Sequence, residues 1–205
     1  MHDVDPELET TLRYRAKAVL RQRARALRNA IPREAIAERS ARIAARLEGL
    51  PVVAAASTIA LFWPMEGKNE IDLTGLDARL RAAGKRIAYP SIDPDTRRMT
   101  FRFVGDPATL EERGLGFREP APADPEATAL DVIVVPALQA DALGHRIGYG
   151  AGFYDRTLPR FAPNARTIGV VFSFQLIAEV PVTEGDVAVS MLVTDEGALE
   201  VPGPS

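Results

Sequence analysis

Residues 131–156 read DVIVVPALQADALGHRIGYGAGFYDR. The stretch opens with the apolar run VIVV, residues 132–135, closed by Pro136. A run without polar alternation is the pattern of a strand covered on both faces, as in the middle of a parallel sheet. Past Pro136 the chain enters a loop carrying Gly144, Gly148, Gly150 and Gly152. Glycine has no Cβ, so such a loop can turn through positive φ and present successive N–H groups, a concave row that suits phosphate oxygens. Arg146 adds a guanidinium fork inside the loop. Asp155 closes it with a carboxylate suited to a hard cation such as Mg²⁺. On this reading a strand delivers the chain to a nucleotide phosphate site. The other reading is a tight connection in which Phe153 and Tyr154 pack as core. The spacing matches neither standard glycine motif: Phe153 stands where a dinucleotide fingerprint has its third glycine, and no G-K-[ST] stands after the loop.

Outward from this strand, helical and strand patterns alternate. A helix is expected over about Pro6 to Ala30. A second begins at Pro32, whose fixed φ suits a helix start, and turns Ile36, Ile43 and Leu47 inward. Strands are expected at 58–62, 86–89, 99–104, 132–135, 167–172 and 191–194, with a helix over 73–83 ended by Gly84. Strands separated by helices imply an α/β fold, a three-layer α/β/α arrangement around a largely parallel sheet, and a single domain over residues 1–205. Pro120, Pro122 and Pro125 mark a surface connection. Ligands of open α/β sheets lie beyond the carboxyl ends of the strands, which brings residues 63–70 and the glycine loop to one edge.

Composition narrows the chemistry. With 205 residues, 46% of them hydrophobic, the chain can bury a sizeable core. The absence of cysteine excludes disulfides, a thiolate nucleophile and a thiolate zinc site, and two histidines, His2 and His145, leave little for a histidine-based triad. Apolar runs fall far short of the ~20 residues that cross a bilayer, and the charged N-terminus has no signal-like core. The expectation is a cytoplasmic protein with no membrane partner.

The net charge is −3, yet residues 13–28 hold seven Arg or Lys and no acid. As a helix, this segment puts Leu12, Val19, Leu20 and Leu27 on a core stripe and Lys17, Arg21, Arg25 and Arg28 along another face. The basic face can be simply solvated, can bind nucleic acid, or can meet the anionic end of a ligand. The acidic whole and the few nearby aromatics count against nucleic acid.

The string RIGYGAGFYD resembles the signature R-[LI]-G-x-G-x-G-[YF]-Y-D of the 5-formyltetrahydrofolate cyclo-ligase family, with Asp141 and Gly144 matching its approach. The resemblance runs through most of the chain. KAVLR, with Lys17 and Arg21, is similar to a K-x-x-x-R pair; IALFWPMEGKNEID to the stretch ending in the family's E-I element at Glu70; GLGFREP and VPVTEGDVAVSMLVT to two later landmarks. Ala140, Ala151 and Ser190 depart from the pattern.

The resemblance implies ATP-dependent closure of 5-formyltetrahydrofolate to 5,10-methenyltetrahydrofolate, with ADP and phosphate released through a phosphorylated, imidate-like formyl group. It assigns ATP to Lys17, Arg21 and the loop Arg146, Ile147, Gly148, Tyr149, Gly150, Ala151, Gly152, Phe153 and Tyr154. It gives folate to Trp63, Met65, Glu70 and Tyr154, catalytic roles to Arg146 and Tyr154, and Mg²⁺ to Asp155 and Asp186. Nucleic acid is not among the implied partners. Two alternatives stay open: a non-catalytic nucleotide- or folate-binding module of the same fold, and an RNA-binding protein using the basic helix.

Overall fold

The computed structural model describes residues 5–114 and 116–202; His2 and Leu115, the latter inside the GLGFREP landmark, lie outside them. The run 132–135 forms strand β6 (Val132–Pro136), and it sits near the middle of a seven-stranded sheet. In sheet order, β6 lies between β9 (Arg166–Val170) and β1 (Thr58–Ala60). Beyond β1 come β2 (Arg86–Ile92) and β3 (Met99–Phe103); beyond β9 come β10 (Met191–Val193) and β11 (Ala198–Glu200). The five inner strands are parallel, while β3 and β11 pair antiparallel at the two edges. A separate antiparallel ribbon joins β4 (Glu111–Glu112) to β5 (Arg118–Glu119).

Period-2 alternation explains why the strands carry no polar face. Val132 and Val134 point to one side with Ile59, Ile87, Tyr89, Ile168 and Val170. Ile133 and Val135 point to the other with Ala60, Ala88 and Leu192. Both sides are buried, as a continuous apolar run requires. Helix α2 (Arg33–Gly49), the short α3 (Pro51–Ala55) and α4 (Thr74–Ala82) cover the first side through Ile36, Ile43, Leu47, Val53, Leu76 and Leu80. The second layer is thinner. There α5 (Phe153–Thr157) leads into a 3₁₀ turn that contributes Leu158, with Phe161 just beyond, and the rest is loop. The connection from β9 to β10 carries only a 3₁₀ turn at Ser173–Gln175 and no α-helix, so the expected strict alternation fails there.

Helix α1 (Pro6–Ala30) overturns the expected core stripe. Leu12, Val19 and Leu27 are 50%, 46% and 46% exposed, whereas Lys17, Ala24 and Arg28 are buried. The helix does not cover the sheet. Ala24 and Leu20 pack with Leu138, Ile147 and Val180, beside the β-ribbon of β7 (Gln139–Ala140) and β8 (Arg146–Ile147). Lys17, Arg21 and Arg28 therefore face inward, near the carboxyl ends of the strands, while Arg15, Arg23 and Arg25 stay exposed. No helix among the described residues is long and apolar enough to cross a membrane.

Candidate functional site

A cavity of about 600 Å³ opens where β1, β2 and β6 end, floored by Phe62, Pro90, Ile92 and Pro136. That is the edge at which parallel sheets leave room for ligands. The cavity brings together Lys17, Arg21, Trp63, Met65, Glu70, Arg146, Gly148, Tyr149, Gly150, Ala151, Gly152, Phe153, Tyr154, Asp155 and Asp186. Of the expected site residues only Ile147 stands apart. Its side chain, 1% exposed, is core packing against α1, so any contact it makes with a ligand is through its backbone.

The glycine loop is held from below by α1. Arg21 Nε donates to Gly148 O at 3.1 Å, and Arg25 Nη2 to Tyr149 O at 3.3 Å. Gly150 has φ +104°, a turn that favours glycine, and a Cβ there would crowd the Arg21 guanidinium carbon at 3.3 Å. Gly144 is needed for another reason, since a Cβ would sit 2.5 Å from Val189 O. The N–H groups of residues 149–152 donate to no acceptor among the described residues. Unpaired backbone donors beside a cavity also lined by Lys17, Arg21, Arg97, Arg146 and Arg156 can form an anion cradle.

Arg146, expected as a guanidinium fork inside the loop, is tied down by its neighbours. Its side chain is only 4% exposed; it donates to Asp155 Oδ1 at 2.7 Å and to Val187 O. Burial lowers its pKa from the usual arginine value while the Asp155 charge opposes the shift. Lys17, equally buried, donates to Thr183 Oγ1 at 2.8 Å and to Asp186 Oδ2. Burial pushes the Asp186 carboxyl up, but the bonds from Lys17 and Thr183 outweigh it and hold the carboxyl below the ordinary aspartate range. Of the seven basic residues on which an RNA-binding reading rests, Lys17 and Arg28 are buried and Arg15, Arg23 and Arg25 are exposed.

Asp155 and Asp186 each use one carboxylate oxygen in these contacts. Asp155 Oδ1 also accepts from Val187 N at 3.2 Å. Asp155 Oδ2 and Asp186 Oδ1 accept from no described residue. No group of three or more His, Cys, Asp or Glu able to hold a metal occurs among the described residues. Two carboxylates with free oxygens beside an anion cradle fit Mg²⁺, which takes few protein ligands and completes its shell with phosphate and water.

On the apolar side, Trp63 lies edge-on to Tyr89 at 5.9 Å between ring centroids, so it both packs on the core and lines the cavity. Glu70 Oε2 accepts from Met65 N at 2.9 Å, which folds the 65–70 loop back on itself. The Tyr154 hydroxyl is buried without a partner, and burial pushes its pKa up, so it stays a protonated donor. Sequence reasoning missed Arg28, Thr183 and Arg97. Arg28 lies beyond Lys17 and Arg21 on the same face at helical spacing, a signal that was available; Thr183 lies inside the VPVTEGD landmark, and Arg97 sits in a loop with no local signature.

An α/β sheet with a ligand cavity at its carboxyl edge is the class this architecture defines. A model of the 5-formyltetrahydrofolate cyclo-ligase family matches residues 13–195. The 5-formyltetrahydrofolate cyclo-ligase of Escherichia coli (strain K12) is 31% identical over 185 residues, 86% of this chain and 96% of that protein. A Mycolicibacterium smegmatis cyclo-ligase is 45% identical over 91 residues, 43% of this chain and 47% of that one. The solved structure of Aquifex aeolicus 5,10-methenyltetrahydrofolate synthetase superposes with a TM-score of 0.79 at 29% identity, covering 92% of this chain and 95% of its own. A Mycoplasma pneumoniae synthetase, 22% identical with a TM-score of 0.71, shares the fold. The chain belongs to the 5-formyltetrahydrofolate cyclo-ligase family and is a ligase of that family.

Proposed function

We propose that this chain closes 5-formyltetrahydrofolate to 5,10-methenyltetrahydrofolate at the expense of ATP, in the cavity at the carboxyl edge. The observation that carries this is the joining, in one cavity, of unpaired loop N–H groups with Lys17, Arg21 and Arg146, and of an apolar wall ending in Glu70. The first set suits a triphosphate and the second a flat, amino-bearing ring. The formyl oxygen is a poor leaving group. It takes the γ-phosphoryl group and ADP departs; N10 then attacks the formyl carbon, the C–O bond breaks, phosphate leaves, and the N10 proton is lost.

Such a reaction needs no protein nucleophile, which is why a chain without cysteine can perform it. It needs alignment and neutralised charge. The 149–152 amides and Arg21 cradle the phosphates, Lys17 and Arg146 offset their charge, and the unpartnered Tyr154 hydroxyl donates to an oxygen of the reacting group. Trp63 and Met65 flank the pterin, whose N–H groups Glu70 accepts. Asp155 and Asp186 would hold Mg²⁺, which would supply positive charge to offset that of the phosphates.

The test is to mix the protein with 5-formyltetrahydrofolate, ATP and Mg²⁺ and monitor methenyltetrahydrofolate absorbance. Product that requires both ATP and folate is expected. Tight binding of both ligands without product would leave a non-catalytic module instead.

A further inference from the structure

Glu70, Tyr149 and Arg28 come from three separate segments and meet in one chain of contacts. Arg28 Nη2 donates to the Tyr149 hydroxyl at 2.7 Å, and that hydroxyl donates to Glu70 Oε1. Arg28 Nη1 lies 3.6 Å from the same Glu70 oxygen, an ion pair held beyond hydrogen-bond length, with both side chains buried at 6% and 7% exposure. Arg28 Nε is buried and has no acceptor among the described residues. Tyr149 is clamped from outside as well, with the Arg25 guanidinium 5.0 Å from its ring centroid.

A buried guanidinium beside a buried carboxylate is drawn into a direct, often bidentate, pair. The orphan Nε donor strengthens that pull, since a buried unsatisfied donor is costly. Here the pair stays apart because a phenol oxygen stands between its members. Burial and the Glu70 charge raise the Tyr149 pKa, so the phenol remains a donor to the carboxylate. Arg28 does not line the cavity, whereas Glu70 and Tyr149 do.

We propose that Tyr149 and Arg28 are positioning residues for Glu70, in which the Tyr149 hydroxyl is a spacer that keeps Arg28 from capturing the Glu70 carboxylate and leaves its remaining lone pairs for the substrate. A carboxylate has about four acceptor sites. Met65 N and Tyr149 use two, so the pterin N–H groups find the others free. A direct Arg28 fork would take both oxygens and turn the carboxylate from the ring. This rests on the proposed folate role of Glu70.

The test is calorimetric binding of 5-formyltetrahydrofolate and of a non-hydrolysable ATP analogue to wild type, Tyr149→Phe, Arg28→Gln and the double variant. Tyr149→Phe keeps the ring and the loop amide and removes only the spacer; its folate Kd is expected to rise about 10-fold, well beyond any change in the analogue Kd. Adding Arg28→Gln removes the captor, so the double variant should bind folate more tightly than Tyr149→Phe alone. A merely structural pair would give a double variant as weak as, or weaker than, the single one. That result, or unaltered folate binding by Tyr149→Phe, overturns the inference while the proposed function stands. Failure of wild type to bind 5-formyltetrahydrofolate overturns the proposed function and this inference with it.

Discussion

Asp155 sits in the first turn of α5 and accepts from Arg146 and Val187 N through one oxygen, leaving the other toward the cavity. Two contributions are thus separable in one side chain. Asp155→Asn removes a charge-assisted bond to a buried arginine, a loss of about 1–3 kcal/mol, equivalent to roughly 3–10 °C in a chain of this size. If the free oxygen holds Mg²⁺, turnover should fall by ~100-fold or more, since the cation offsets charge on the transferring group. Turnover measured against Mg²⁺ concentration checks this. A normal maximal rate with an unchanged Mg²⁺ dependence would confine Asp155 to tying Arg146 in place. The loop's backbone course was legible in the residues themselves, because positive φ favours glycine at Gly144 and Gly150. The Arg28, Tyr149 and Glu70 contacts were not, because their partners lie 79 and 121 residues apart and no local pattern records such a meeting.

At the scale of elements, α1 is where sequence periodicity misleads. Its helical span was legible, and so were two stripes, one apolar and one basic. The rule that the apolar stripe faces the core assumes that the helix packs on a core. Helix α1 lies instead beside the cavity, where Lys17 finds Asp186 and Arg21 finds the glycine loop, so Lys17 and Arg28 of the basic stripe are buried while Arg25 stays exposed. Substitution separates the two faces. Leu12→Gln on the outer face should shift stability by within ~0.5 kcal/mol and leave turnover within about 2-fold. Lys17→Met keeps the length of the side chain but not its charge, strands the Asp186 carboxylate, and should lower turnover by ~100-fold or more. Steady-state rates of the two variants, with circular dichroism to verify folding, decide it. Equal losses of turnover in both would return α1 to an ordinary packing role. The short strands β1 and β10 were expected at nearly their observed positions, since apolar runs mark buried parallel strands well. Edge strand β11 escaped notice because its residues 198–200 are all exposed and carry no burial pattern.

Across the whole molecule, acid should dissolve the ties that close the sheet at its ends. Asp131 accepts from Ser57 N and Thr58 N, joining the starts of β6 and β1; these bonds hold its carboxyl below the ordinary value. Asp195, whose side chain is fully buried, joins Arg39 of α2 to Ser173 after β9. Burial pushes its carboxyl up, and the bonds from Ser173 and Arg39 outweigh that and depress it. Asp186 is depressed as well. A carboxyl depressed in the folded state contributes stability that is complete above its unfolded value, 3.8 for aspartate, and is lost as pH falls through the lower folded value. Glu119, raised by burial, works in the opposite sense, losing its contribution as pH rises through its folded value. With three ties on one side and one group on the other, the urea midpoint should hold from about pH 7 to about pH 5 and decline below about pH 4. Asp195→Asn should be less stable than wild type near pH 7, by about 1–3 kcal/mol for the lost charged bonds, and its acid decline should be shallower because one depressed group no longer titrates. The two curves should approach each other as pH falls below about 4. Parallel curves across that range would mean that Asp195 is not among the groups whose protonation opens the fold.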